Sequence, residues 1–276
     1  MRLKRLSIKL KAAVLFTAGI LALITLFAII QSYFTRVDTK QSIGAQQLAM
    51  MTQIASEVDE RLAATRLALT LAAGATPAHL LDRPDLLERN IESRPGFRSL
   101  FDGVAVIDIT GKVLVAIPDT AARGLSVGDR DYFKNTMASG QAQISAPFQA
   151  RSMNEPIVVF TAPIFDSQGK AVAILAGSLR LLKPNFLGKL ADARVGNTGR
   201  FSLIGRDRSV IISRDRERIM TAGPAPGVSP YFDNAVTGRE GWEENVNSRG
   251  LHALFIYKPL KSMPWVLVAA IPVEEA

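Results

Sequence analysis

The sequence predicts an α+β chain, and three observations carry that prediction. An uncharged, apolar run over residues 12–30 follows a basic tail. A long helix-compatible stretch free of proline comes next. From Phe101 onward the chain is strand-rich and repeats its own pattern. The expected order is an N-terminal transmembrane helix, a long stalk helix and two tandem copies of one strand-containing module.

The first element rests on length and charge. Residues 1–11 hold Arg2, Lys4, Arg5, Lys9 and Lys11 and no acid. At ~1.5 Å rise per residue the run 12–30 is about 28 Å long, roughly the hydrocarbon thickness of a bilayer. The basic flank is expected to stay cytoplasmic, which puts everything from about Gln31 outside the cytoplasm. A cleaved signal peptide needs a shorter apolar core and a small-residue site after it. Here Gln31-Ser32-Tyr33-Phe34-Thr35-Arg36 follows, so an uncleaved anchor in a bacterial inner membrane is expected.

Composition narrows the partners. The 276 residues leave room beyond the anchor for one large or two small domains. Net charge is +8, but five of the cations sit in the tail. The remaining Lys and Arg are scattered, with no basic stripe carrying interleaved aromatics, so nucleic acid is not an expected partner. The absence of cysteine excludes disulfides, thiolate metal sites and thiol nucleophiles, and suits a periplasmic domain.

Residues 31–100 read as the stalk helix and short helical pieces. From Gln31 to about Ala73 there is no proline and one glycine, Gly44. Leu48, Met51, Ala55, Val58, Leu62, Thr65 and Leu69 recur in steps of three and four, which puts them on one stripe. Two readings are open and compatible: a helix laid along its own domain, or a stalk that forms a homodimer. Pro77, Pro84 and Pro95 then break the chain.

Strand grammar begins after Phe101. Residues 104–109, a turn at Thr110-Gly111-Lys112 and residues 113–117 read as a hairpin. Residues 157–161 and 171–179 are two more β-rich runs, joined through Asp166-Ser167-Gln168-Gly169-Lys170. The pattern then recurs. Tyr132-Phe133 with Gly140 returns as Tyr231-Phe232 with Gly238, and Ala162-Pro163-Ile164 returns as Lys258-Pro259-Leu260. Nearly constant offset over several features predicts a duplication: one module over 101–180, a connector over 181–200 and a second module over 201–276.

This arrangement resembles the double Cache family of bacterial extracytoplasmic sensors. The residues that carry the resemblance are Asp108-Ile109-Thr110-Gly111-Lys112, Gly128-Asp129-Arg130-Asp131-Tyr132-Phe133, the run 156–179 and Pro264-Trp265-Val266-Leu267-Val268. The resemblance implies two PAS-like modules, each an antiparallel sheet with flanking helices, stacked along the long helix. It also implies that the first module is membrane-distal and binds the ligand, while the second lies close to the membrane.

In amino-acid-binding members of that family, an arginine two positions before an aromatic grips the ligand carboxylate, and acids on neighbouring strands take the ammonium. By that resemblance Arg130 matches the arginine, Tyr132 and Phe133 the aromatics, and Phe148 a pocket wall. Ala150 and Ser178 stand where the acids would fall, and Arg151 adds positive charge. A guanidinium suits a carboxylate, whereas a buried ammonium without an anion costs several kcal/mol. The expected ligand is therefore a small organic acid rather than an α-amino acid. The residues themselves leave a second reading open, in which Arg130 is tied up between Asp129 and Asp131 and Tyr132 and Phe133 are core.

Catalysis is not expected. His79 and His252 belong to no constellation, and no nucleophile elbow, zinc motif, phosphate loop or EF-hand pattern occurs. Neither a cofactor nor a metal is implied. The leading expectation is an input domain for transmembrane signalling whose output, most plainly a diguanylate cyclase by resemblance, lies beyond Ala276 on a longer parent chain. The other is a stand-alone membrane-anchored periplasmic binding or scaffold protein.

Overall fold

The computed structural model describes residues 8–247 and 250–275; Arg2, Lys4 and Arg5 of the expected tail lie outside the described residues. The chain divides into two compact units, Met1–Gln47 and Leu48–Ala276. The first element, α1 (Ile8–Gly74), accounts for all of the described part of the first unit. The transmembrane helix expected over residues 12–30 is not found. Among the described residues no helix is long and apolar enough to cross a membrane. The apolar stretch of α1 whose side chains are described runs over residues 16–30, short of the ~18 residues a span needs. The same helix continues without a break into polar sequence. Among the described residues the fold is therefore α+β without an N-terminal transmembrane helix.

In the second unit the stripe of α1 finds its place. Met51, Ala55, Val58, Leu62, Thr65 and Leu69 are all buried within this unit. Steps of three and four put them on one face, and that face is consumed by the protomer's own core. It is not left open as a dimer seam. The C-terminal carbonyls of α1, which have no partner within the helix, are met by Arg94. Its guanidinium donates to the carbonyls of Ala72 (2.7 Å) and Ala75 (3.0 Å) and to Asn90 Oδ1 (2.8 Å). Two short helices follow, α2 (Pro84–Glu92) and α3 (Pro95–Leu100), each opening on a proline where a missing N–H costs nothing.

The first sheet contains β1 (Gly103–Asp108), β2 (Val113–Ile117), β3 (Gln143–Ile144), β4 (Phe148–Gln149), β5 (Pro156–Phe165) and β6 (Ala171–Arg180), with α4 (Asp131–Ser139) between β2 and β3. Its order is β2-β1-β6-β5-β3, and β4 also pairs with β5. After α5 (Phe186–Asp192) the second sheet contains β7 (Arg194–Val195), β8 (Gly199–Gly205), β9 (Val210–Ser213), β10 (Gly241–Val246), β11 (His252–Pro259) and β12 (Trp265–Pro272), with α6 (Pro230–Val236) between β9 and β10. Its strands run β10-β11-β12-β8, and β7 and β9 both pair with β8. The two sheets thus share one order, β2-β1-β6-β5-β3 and β9-β8-β12-β11-β10, antiparallel at every pairing.

The hairpin tips share a device. Asp108 Oδ1 accepts the N–H groups of Thr110 (2.8 Å) and Lys112 (2.9 Å), and Asp166 Oδ1 accepts those of Gln168 and Lys170 (both 2.9 Å). Asp207 repeats it with Ser209 in the second sheet. A short acid that bonds the backbone two residues on closes the turn by itself. Gly111 completes the first tip at φ 87°, and a Cβ there would fall 2.4 Å from the Gly128 Cα.

Candidate ligand-binding site

Alternation along β1, β2, β5 and β6 decides which side chains face the site, because residues two apart share a face. Register then lines them up in rows across the strands. Gly103 pairs with Ser178, which pairs with Val159. The next row on the same face is Ala116, Ala105, Ala176 and Thr161. The third is Val113, Ile107 and Ile174. A cavity of about 330 Å³ lies over this face.

The segment before α4 supplies the cationic wall. Arg130 is the extended residue preceding the helix, and its guanidinium lies 4.8 Å from the Phe148 ring centroid. A cation over an aromatic face is attracted by the negative face of the ring. Tyr132 stacks on the same ring at 5.3 Å and 21°, and burial pushes its phenol up to about 12. Arg130 Nη2 reaches only the Gln149 carbonyl, at 3.4 Å. Its Nε is buried and has no partner.

Of the residues singled out from sequence, the cavity wall includes Arg130, Tyr132, Phe148, Arg151 and Ser178. Phe133 is not among its lining. It is buried with Ile107, Val113 and Ile157, about 100° around the helix from Tyr132. Arg151 is spoken for. It makes a two-pronged pair with Asp129 (3.0 and 2.6 Å) and donates to the Ser126 carbonyl. The Asp129 hydrogen bond raises the Arg151 pKa, and the pair holds the Asp129 carboxyl below its ordinary range. Arg151 therefore does not add net positive charge to the site. Ser178 Oγ donates to the Gly103 carbonyl at 3.2 Å.

An acid is present after all, from a place the strand comparison does not reach. Asp119 lies on the wall, two residues past the end of β2, with its Oδ2 buried and unpartnered. Its only signal in the sequence is an acid directly after Ile117-Pro118. Asp102 also lines the cavity, but its Oδ2 accepts the Arg180 N–H and the Asn185 amide (both 2.8 Å). Arg180 in turn is paired with Glu155. Ala150 is buried in the core beside the site.

The set offers donors at Arg130 and an acceptor at Asp119, with aromatic and aliphatic walls between charged groups that already have partners. Among the described residues no group of three or more His, Asp and Glu side chains that could hold a metal gathers anywhere. Glu240, Glu243 and Glu244 are engaged with Lys258, Asn234 and His252. In the second sheet the aromatic equivalent to Tyr132 is packed away: Tyr231 stacks on Phe255 at 3.8 Å and 11°.

The sequence profile described as "Cache domain" matches residues 35–276. The chain belongs to the Cache domain family. Solved structures with the same fold are Cache-type ligand-binding domains of bacterial chemoreceptors. That of the Pseudomonas aeruginosa PAO1 amino acid chemoreceptor PctB in complex with L-Arg superposes with a TM-score of 0.67 at 17% identity, covering 85% of this chain and 97% of that one. The Pseudomonas fluorescens chemoreceptor CtaA domain in complex with L-alanine gives 0.64 at 17%, over 82% and 96%. The Pseudomonas aeruginosa PAO1 receptor PctC domain in complex with GABA gives 0.63 at 18%, over 84% and 100%. A search of curated protein sequences gave no match. These likenesses establish the fold.

Proposed function

We propose that this Cache domain is the extracytoplasmic ligand-sensing domain of a membrane receptor. In this reading it holds a small amphoteric molecule, carboxylate on Arg130 and protonated amine on Asp119, in the cavity over the first sheet. The observation that carries the reading is the pair of buried, unpartnered atoms, Arg130 Nε and Asp119 Oδ2, on residues that line one cavity. A buried polar atom without a partner costs ~1–3 kcal/mol, and a ligand bearing both charges recovers that cost at both ends. A purely anionic ligand is the expectation only if no acid faces the site. Asp119 supports the amphoteric class instead. The molecules named with the related receptor domains, L-Arg, L-alanine and GABA, all carry a carboxylate and an amine.

Signalling requires that the ligand bind one arrangement of the module better than another. The output is the receptor's signalling domain, with a diguanylate cyclase as the reading that the sequence resemblance favours. Calorimetric titration of the full chain tests the ligand class, with L-alanine, L-leucine and GABA set against acetate and succinate. The amine-bearing compounds are expected to bind at least about tenfold more tightly than those without an amine, and Arg130→Ala is expected to abolish binding. Succinate binding with the amine compounds silent would overturn the reading.

A further inference from the structure

The rows of the first sheet contain a run of small residues that packing alone does not require. Gly103 and Ser178 form one row, and Ala116, Ala105 and Ala176 the next, on neighbouring strands β2, β1 and β6. All five line the cavity. The following row is bulky, with Ile107 and Val113 on the wall, and Val159 stands beside Ser178. The result is a patch of cavity wall two rows wide that carries only hydrogen, methyl and the Ser178 hydroxymethyl, bordered by branched side chains. Gly103 keeps it clear: a Cβ at that position would lie 2.8 Å from Ser178 Oγ.

The charges around the patch can be followed one by one. Five ionisable side chains other than Tyr132 line the cavity: Asp102, Asp119, Arg130, Arg151 and Arg180. Asp102 is bonded to Arg180 N–H and Asn185, Arg180 to Glu155, and Arg151 to Asp129. Only Arg130 and Asp119 have unpartnered buried atoms, and the proposed function assigns both to the ligand's own carboxylate and amine. No charged group of the wall is then left for a charged side chain on the ligand. Burying such a charge unpaired is strongly unfavourable.

We infer that the patch formed by Gly103, Ser178, Ala105, Ala116 and Ala176 receives an uncharged, aliphatic or aromatic side chain on an amphoteric ligand, and that Ala105 and Ala176 set its size limit. This inference rests on the proposed function and deepens it. Each methylene buried against such a patch strengthens binding about fourfold, so leucine is expected to bind on the order of 50-fold more tightly than alanine.

The test is a calorimetric series on the full chain with glycine, alanine, valine, leucine, phenylalanine, glutamate and lysine. Affinity is expected to rise with apolar side-chain size from glycine to leucine, and glutamate and lysine to bind far more weakly than leucine. In Ala105→Leu, leucine is expected to lose at least about tenfold while alanine changes less than about threefold. Ala176→Val provides the same test with a smaller intrusion, and the wild-type series stands without either variant. Affinity that is flat from alanine to leucine, or glutamate or lysine binding as tightly as leucine, would overturn this role of the patch while leaving the amphoteric reading intact. Silence of every amino acid in the series overturns both.

Discussion

Replacing Asp59 by alanine removes the contacts that tie α1 to the loop between β11 and β12. The Asp59 carboxylate accepts the N–H of Lys261 (3.1 and 2.8 Å to its two oxygens), the N–H of Ser262 (2.8 Å) and the Ser262 hydroxyl. Hydrogen bonds to a charged group contribute ~1.5–3 kcal/mol where water is excluded and nearer ~0.5–1.5 where it is not. Asp59 and Ser262 are half-buried and Lys261 is exposed, so the lower range applies to each of the three donors. The expected loss is about 2–3 kcal/mol, or roughly 4–12 °C in melting temperature for a unit of this size. Thermal and urea denaturation of the full chain followed by circular dichroism measures it. Asp59→Asn, which keeps one acceptor oxygen, is expected to lose about half as much. A loss below about 0.5 kcal/mol in Asp59→Ala would refute the reasoning, because the loop would then be held by its own packing rather than by the helix.

Two further outcomes follow from the site. Arg151→Ala is expected to leave ligand affinity within about twofold, since an exposed ion pair already absorbs that guanidinium; a tenfold loss by calorimetry would place Arg151 on the ligand. Tyr132 has its phenol raised by burial from 10.0 to about 12. Because the folded pKa exceeds the unfolded one, the stability it contributes is whole below pH 10 and is lost as pH climbs through 12. Phenolate absorbance in a difference titration of wild type against Tyr132→Phe checks this, and a component titrating near pH 10 would count against it.

Local chemistry made much of the fold legible. The tips at Asp108 and Asp166 depend on a carboxylate and backbone within four residues of each other, and such turns fold by the same rule wherever they stand. The stripe from Met51 to Leu69 was likewise readable as one helical face, but whether it faced the protomer or a second copy depended on what lay against it. The expected span over residues 12–30 rested on the hydropathy and length of the run and on the basic tail before it. Arg130, Tyr132 and Phe148 were pointed to by the family likeness, and all three line the cavity.

Other parts of the site depended on long-range register. Asp119 and Arg130 line one cavity although nothing in the spacing of an acid and an arginine fixes that they share it. Arg151 and Asp129 stand 22 positions apart, and only their pairing shows that the arginine's charge is already balanced. The Ala116–Ala105–Ala176 row draws one residue from each of three strands; in the sequence each alanine is an ordinary strand residue.

The sequence by itself determined the hairpins and the helical stripe, because each is set by bonds and periodicities that act over a few residues. Only the tertiary structure decided that the stripe is buried in its own unit, that Phe133 is buried in the core beside the cavity lining, and that Asp119 rather than a strand acid faces the cavity. Pairing of β1, β2 and β6 brings those distant positions into one row and one cavity, and which charges find partners there depends on three-dimensional approach rather than on order along the chain.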